Sequence, residues 1–107
     1  MIYDIIKKLR EDAGYSQSEL ARRLDVTRSS VNAWEMGLST PTTHYVVELA
    51  KLFHVSADYL LGIEPKRQIV LDGYSESEIE LIYKLVNYFD EQKQYSRPDV
   101  GGFLFYK

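Results

Sequence analysis

Residues Ser16 to Gly37, SQSELARRLDVTRSSVNAWEMG, carry two helical patterns with only a few residues between them. Ser16 followed by Glu19 has the S-x-x-E form of a capping box, which satisfies free N–H groups at a helix start. From about Gln17 to Leu24, the apolar side chains Leu20, Ala21 and Leu24 share one face. Asp25 and Val26 follow; Thr27 then suits an N-cap, and a second helix is predicted over about Arg28 to Met36 with Gly37 closing it. Helices this short are marginal in water, so both segments must be held by the rest of the chain. The second offers few apolar side chains for that purpose. Val31 and Trp34, three apart, can face a core, while Arg28, Ser29, Asn32 and Ala33 project the other way.

Further helical patterns surround this pair. Ile2, Ile5, Ile6, Leu9 and Ala13 recur at helical spacing and stop at Gly14, where a left-handed C-terminal residue is expected. After the turn LSTPT, with Pro41 restricting the backbone, a new start is predicted at Thr42 or Thr43. That helix should reach about Phe53 and bury Val46 or Val47, Leu49, Ala50, Leu52 and Phe53. Ser56 caps a short fifth helix, ADYLLG, ended by Gly62. Five short helices with tight connections predict a compact all-α domain over residues 1–63. Residues 64–74 contain Pro65 and the turn pair Asp72-Gly73 and read as a linker, with QIVL as an extended segment that packs on another part of the protein. Ser75 and Glu78 repeat the capping-box form. A sixth helix is predicted from about Glu76 to Asp90 or a little beyond, with Ile79, Ile82, Val86 and Phe89 in 3-4-3 spacing and Leu81 and Leu85 beside them. Residues 75–107 thus form a C-terminal helix and a tail, QYSRPDVGGFLFYK, whose structure the pattern does not assign.

Composition narrows the function classes. The chain has no cysteine, which excludes disulfides, thiolate metal sites and thiol nucleophiles. His44 and His54 are the only histidines and are separated widely in sequence, so no metal site is expected. No G-x-S-x-G elbow or phosphate-cradling glycine loop occurs, and neither a catalytic site nor a cofactor is expected. Glu11, Asp12 and Glu19 lie near helix ends and are read as dipole complements. No stretch approaches the roughly 20 apolar residues that span a bilayer, and a cytoplasmic protein without membrane contact is expected. The net charge of −3 hides an asymmetry: residues 1–67 hold nine basic and nine acidic side chains, residues 68–107 four and seven. A neutral N-terminal part can still bind phosphate if its positive charges share one face.

Two helices joined by a short turn and crossing steeply form a helix-turn-helix, whose second helix can enter a major groove. Arg28 suits paired bonds to guanine and Asn32 to adenine, and the short neighbours Ser29 and Ala33 permit close approach. The blander alternative is a solvated helix, which displays the same residue types; Trp34 likewise reads more readily as core than as a stacking platform. A family resemblance adds to the first reading. The run Gln17, Leu20, Ala21, Leu24, Val26, Val31, Trp34, Glu35 and Gly37, and the stretch from Pro41 to Gly62 with its L-A-x-x-F-x-V-S-x-D-Y-L-L-G ending, resemble the Cro and phage-repressor (XRE-like) helix-turn-helix family in register over about Ile5 to Gly62.

That resemblance implies an all-α, five-helix lambda-repressor-like domain followed by a C-terminal helix used for dimerisation. It also implies sequence-specific binding of double-stranded DNA, with repression as the outcome. By position, Gln17 matches a phosphate-contacting glutamine; Arg28, Ser29, Asn32 and Ala33 face the groove; Thr27 caps the recognition helix and reaches phosphate or a thymine methyl; Ser39, Thr40, Thr42 and Thr43 return to the backbone. Hydroxyls stand where Lys or Arg often occur in the family, which predicts a shallow salt dependence. The resemblance further implies an ion pair between Arg10 and Glu35, the alternative being that both are solvated. Family members bind two-fold sites as dimers, and the stripe Ile79, Ile82, Leu85, Val86 and Phe89 supplies a dimerisation face unless the helix folds back on its own domain. Tyr88, Tyr95, Phe103, Phe105 and Tyr106 make the C-terminal part unusually apolar. The competing function is therefore an interaction protein, antitoxin-like, whose C-terminal segment holds a second protein.

Overall fold

The computed structural model describes residues 1–96 and contains α1 (Ile2–Asp12), α2 (Gln17–Leu24), α3 (Arg28–Glu35), α4 (Thr43–Phe53), α5 (Ala57–Leu60) and α6 (Glu76–Ser96). No strand forms among the described residues, so the architecture is all-α. The chain divides into two compact units, Met1–Val70 and a second beginning at Leu71. Phe103, Phe105 and Tyr106 of the aromatic tail lie outside the described residues, as does the side chain of Tyr95.

Each short helix is bounded by local chemistry. In α1, Asp4 in the first turn and Arg10 in the last complement the dipole. The helix closes in a Schellman arrangement: the Gly14 N–H donates to Glu11 O at 3.0 Å and the Tyr15 N–H to Arg10 O at 3.0 Å, with Gly14 at φ +78. At the start of α2 the capping box is complete: the Glu19 N–H donates to Ser16 Oγ at 3.0 Å and the Ser16 N–H to Glu19 Oε1 at 2.8 Å. These bonds hold the Glu19 carboxyl below its ordinary pKa. The helix ends on Asp25, a non-glycine residue at φ 57, and the Val26 N–H returns to Ala21 O at 2.9 Å. Thr27 then accepts the Ser30 N–H at 3.1 Å and starts α3. Ser56 caps α5, and Ser75 with Glu78 forms a second capping box before α6.

The first five helices enclose one core. Ile6, Leu9, Leu20, Val31, Leu49 and Leu60 are fully buried, and Trp34, Val46 and Val55 nearly so. Every helix of the unit thus contributes, which is why none needs intrinsic stability: an apolar face buried by its neighbours supplies it. Within α4 the buried valine is Val46, while Val47 is exposed. The rings of Trp34 and Tyr45 meet at 5.7 Å in a tilted arrangement and join α3 to α4.

Two readings of sequence change here. Glu11 and Asp12 are not dipole complements, since both lie in the last turn of α1, where negative charge is unfavourable. Asp12 pairs instead with Arg67 Nη1 at 2.7 Å and with Lys8 Nζ at 3.6 Å, and the Arg67 hydrogen bond holds its carboxyl below the usual range. The same pair, with the Val70 N–H donating to His54 O at 2.8 Å, ties residues up to Val70 to the first unit. The QIVL segment forms no strand and is not packed away: Gln68, Ile69 and Val70 are exposed, and the Val70 N–H bond to His54 O is what holds it. In the second unit α6 continues past Asp90 to Ser96, because the next strong helix breaker in the sequence is Pro98.

Candidate nucleic-acid interface

The outward face of α3 is defined by what the inward face does. Val31 and Trp34 are 0% and 6% exposed, which locks the rotation of an eight-residue helix about its own axis. Helical spacing then places Arg28, Ser29 and Asn32 in solvent and leaves Ala33 half-buried at the edge. Thr27 is exposed at the N-cap, and its hydroxyl shares a 3.0 Å bond with Ser30 Oγ. Past Gly37, held at φ +73 where an L side chain is strained, Ser39, Thr40, Thr42 and Thr43 are all exposed around the buried Pro41. Thr42 occupies the N-cap of α4, but its hydroxyl oxygen accepts no capping hydrogen bond, unlike those of Ser16, Thr27 and Ser56.

Behind this face lies a polar network. Arg10 Nε donates to Glu35 Oε2 at 2.6 Å and Arg10 Nη2 to Glu35 Oε1 at 3.0 Å, a two-pronged pair whose side chains are 12% and 3% exposed. The third arm, Arg10 Nη1, donates to Tyr15 O at 2.8 Å. Burial pushes the Glu35 carboxyl up, but the hydrogen bonds from Arg10 and Gln17 and the charges of Arg10 and Lys7 outweigh it, so its pKa falls below the ordinary value. The Glu35 hydrogen bond raises the pKa of Arg10, against the opposing effect of burial. The pair therefore stays ionised at neutral pH and links α1 to the last residue of α3.

Sequence reasoning missed one part of this network. Gln17, the first residue of α2, donates through Nε2 to Glu35 Oε1 at 3.0 Å and to Asn32 Oδ1 at 3.2 Å. The available signal was weak. Asn32 and Glu35 are three apart on one helix and so share a face that a single side chain from a packed neighbour can span. On the other side of α2, the Arg23 guanidinium stacks 4.5 Å from the centroid of the Tyr15 ring, and Tyr15 meets Phe53 at 6.3 Å. Among the described residues no cluster of His, Asp or Glu could hold a metal ion, and no helix is long and apolar enough to cross a membrane.

In the second unit, Ile79 and Ile82 of the stripe are half-buried, whereas Leu85, Val86 and Phe89 are 51%, 46% and 54% exposed. Leu81, Tyr83 and Tyr88 are exposed as well, so α6 shows apolar surface over more than one side.

Comparison with known proteins places this geometry. Residues 6–60 match the family model described as helix-turn-helix. The HTH-type transcriptional regulator ImmR of Bacillus subtilis (strain 168) is 30% identical over 82 residues, covering 77% of this chain and 59% of ImmR. The chain thus spans less than two thirds of ImmR's length. The HTH-type transcriptional regulator SinR of the same organism is 33% identical over 85 residues, covering 78% of this chain and 75% of SinR. Among solved structures, SinR in complex with DNA matches with a TM-score of 0.53 at 35% identity, over 57% of this chain and 98% of that one. A complex of SinR with the SinI protein matches with a TM-score of 0.55 at 25% identity, over 89% of this chain and 97% of that one. With a family model matching over half its length and a relative largely covered by it, the chain belongs to the Cro and phage-repressor-like (XRE-type) helix-turn-helix family.

Proposed function

We propose that this protein is a sequence-specific DNA-binding transcriptional regulator, a cytoplasmic repressor that acts as a dimer on a two-fold symmetric site and catalyses nothing. The observation that carries the reading is α3 itself: buried Val31 and Trp34 hold it from behind, while Arg28, Ser29 and Asn32 are exposed on the opposite side. This happens in a fold shared with SinR, which has been solved bound to DNA. In the proposed mode α3 enters the major groove, Arg28 and Asn32 address base edges, and Ser29 and Ala33 keep the approach close. Thr27, Ser39, Thr40, Thr42 and Thr43 hydrogen-bond phosphates on either side, and the α2 N-terminus at Gln17 faces another. The stripe Ile79, Ile82, Leu85, Val86 and Phe89 pairs with its copy in a second chain and sets two half-sites about 34 Å apart. Support for the pairing is the exposure of Leu85, Val86 and Phe89, which a stable soluble helix ordinarily covers.

Selection of bound duplexes from a randomised DNA pool, with the solution mass of free and bound protein, tests this. A palindromic consensus bound by two chains is the expected result; no enrichment of any sequence would sink the reading. A second reading is favoured by the SinR and SinI complex, whose match covers 89% of this chain and so includes residues beyond the helix-turn-helix. In it, α6 holds a different protein. A chain that is monomeric alone, and whose mass rises only with a second polypeptide, would support this alternative.

A further inference from the structure

We propose that Gln17 sets base specificity without touching a base, by holding the Asn32 amide in one orientation so that its Nδ2 donors face the groove. The inference rests on the DNA-binding reading above and deepens it. Its starting point is Glu35. Both carboxylate oxygens are engaged by Arg10, at 2.6 Å and 3.0 Å, and Arg10 is anchored in turn on Tyr15 O, so the carboxylate cannot rotate. A carboxylate only accepts hydrogen bonds, which means that the end of the Gln17 amide 3.0 Å from Oε1 must be nitrogen. That nitrogen carries two hydrogens. The second points at Asn32, and because it is a donor, the Asn32 atom 3.2 Å away must be oxygen.

A buried charge thus decides, through one glutamine, which way an exposed asparagine is turned. Left alone, an asparagine amide flips and offers donor or acceptor to a base with little preference. Held as it is here, Asn32 presents Nδ2 to acceptors such as purine N7, and only one Oδ1 lone pair remains for a base donor. Both Gln17 hydrogens are spent inside the protein, so its side chain has none left for phosphate, and a phosphate contact at this position falls to the backbone N–H groups of the first turn of α2. Those groups survive replacement of the side chain.

The test uses the full chain and its Asn32→Ala, Gln17→Ala and doubly substituted variants, each selecting from a pool of randomised duplexes, with thermal unfolding as a check on folding. Gln17→Met, which keeps the aliphatic stem and removes only the amide, stands in if Gln17→Ala is unstable. Asn32→Ala should erase the preference at one base pair in each half-site, a discrimination of roughly tenfold or more. Gln17→Ala should relax preference at that same base pair by at least about threefold, leave the others unchanged, and add nothing further in the double variant. Equal weakening on all sequences would make Gln17 a phosphate contact and overturn the inference. Unchanged preference, or an Asn32→Ala variant that alters no single position, overturns it too while leaving the DNA reading in place. If the unsubstituted chain enriches no sequence, both fall together.

Discussion

Arg10 and Glu35 are the residues whose loss should be felt most widely. Their side chains are almost wholly buried, so removing one partner strands a charge rather than merely deleting a contact. Glu35→Ala is expected to cost about 3 kcal/mol, read as a shift of the urea midpoint without a change in slope. The folded pKa of Glu35 lies below its unfolded value. Its contribution is therefore fully present above the ordinary glutamate pKa of about 4.3 and is lost as pH falls through the lowered folded value. A Glu35→Gln variant should show a flatter decline of stability in that acid range than the unsubstituted chain, by unfolding measurements at successive pH values. Asp25 presents the opposite case. It holds a left-handed conformation at φ 57 at the end of α2, where glycine carries no penalty. Asp25→Gly should stabilise by roughly 0.5–1 kcal/mol, and a lower melting temperature would count against the strain argument.

At the scale of the element, α3 works because it is held from three sides. Val31 and Trp34 fix its rotation, Glu35 ties its last turn to α1, and Thr27 with Ser30 closes its first. Replacing Trp34 by Ala removes the ring that packs on Tyr45 and should destabilise by about 3 kcal/mol or more, with DNA binding lost along with the fold. Arg28→Ala acts differently, since Arg28 is exposed and supports nothing behind it. It should leave the unfolding free energy within about 0.5 kcal/mol of the original and, in the proposed mode, relax base preference at one position by roughly 1–3 kcal/mol. A variant that loses affinity equally on every duplex would reassign Arg28 to the phosphate backbone.

For the whole molecule, the expected behaviour follows from how charge and apolar surface are distributed. In the proposed mode, the exposed hydroxyls of Ser39, Thr40, Thr42 and Thr43 meet phosphate without releasing counterions as a Lys or Arg would. Affinity should therefore fall less steeply with salt than in relatives with a basic loop at these positions, and Thr42→Lys should steepen the slope by about 0.9. The apolar face of α6 governs assembly in the proposed function. Leu85→Glu with Phe89→Glu should reduce the solution mass to that of one chain and weaken binding to a two-fold site far more than to a single half-site. An unchanged mass would exclude α6 as the dimer contact.

Helix number and nearly every helix end were legible from local chemistry. Ser16, Thr27, Ser56 and Ser75 are short polar residues that satisfy N–H groups within their own first turn, and Gly14 and Gly37 adopt left-handed angles open to them without a side chain. Such signals involve residues within five positions of each other, so the sequence alone determined them. The inward side of α3 was legible for a related reason, because Val31 and Trp34 are its large apolar residues. What tertiary structure decided was pairing over distance. Whether Val46 or Val47 is buried, whether Asp12 answers a dipole or Arg67, and what the Gln17 amide binds all depend on which helix packs against which. A glutamine at a helix start can serve phosphate, solvent or a neighbour equally well by its own chemistry. Only the packing of α2 against α3 places a fixed carboxylate within reach and so determines which way both amides turn.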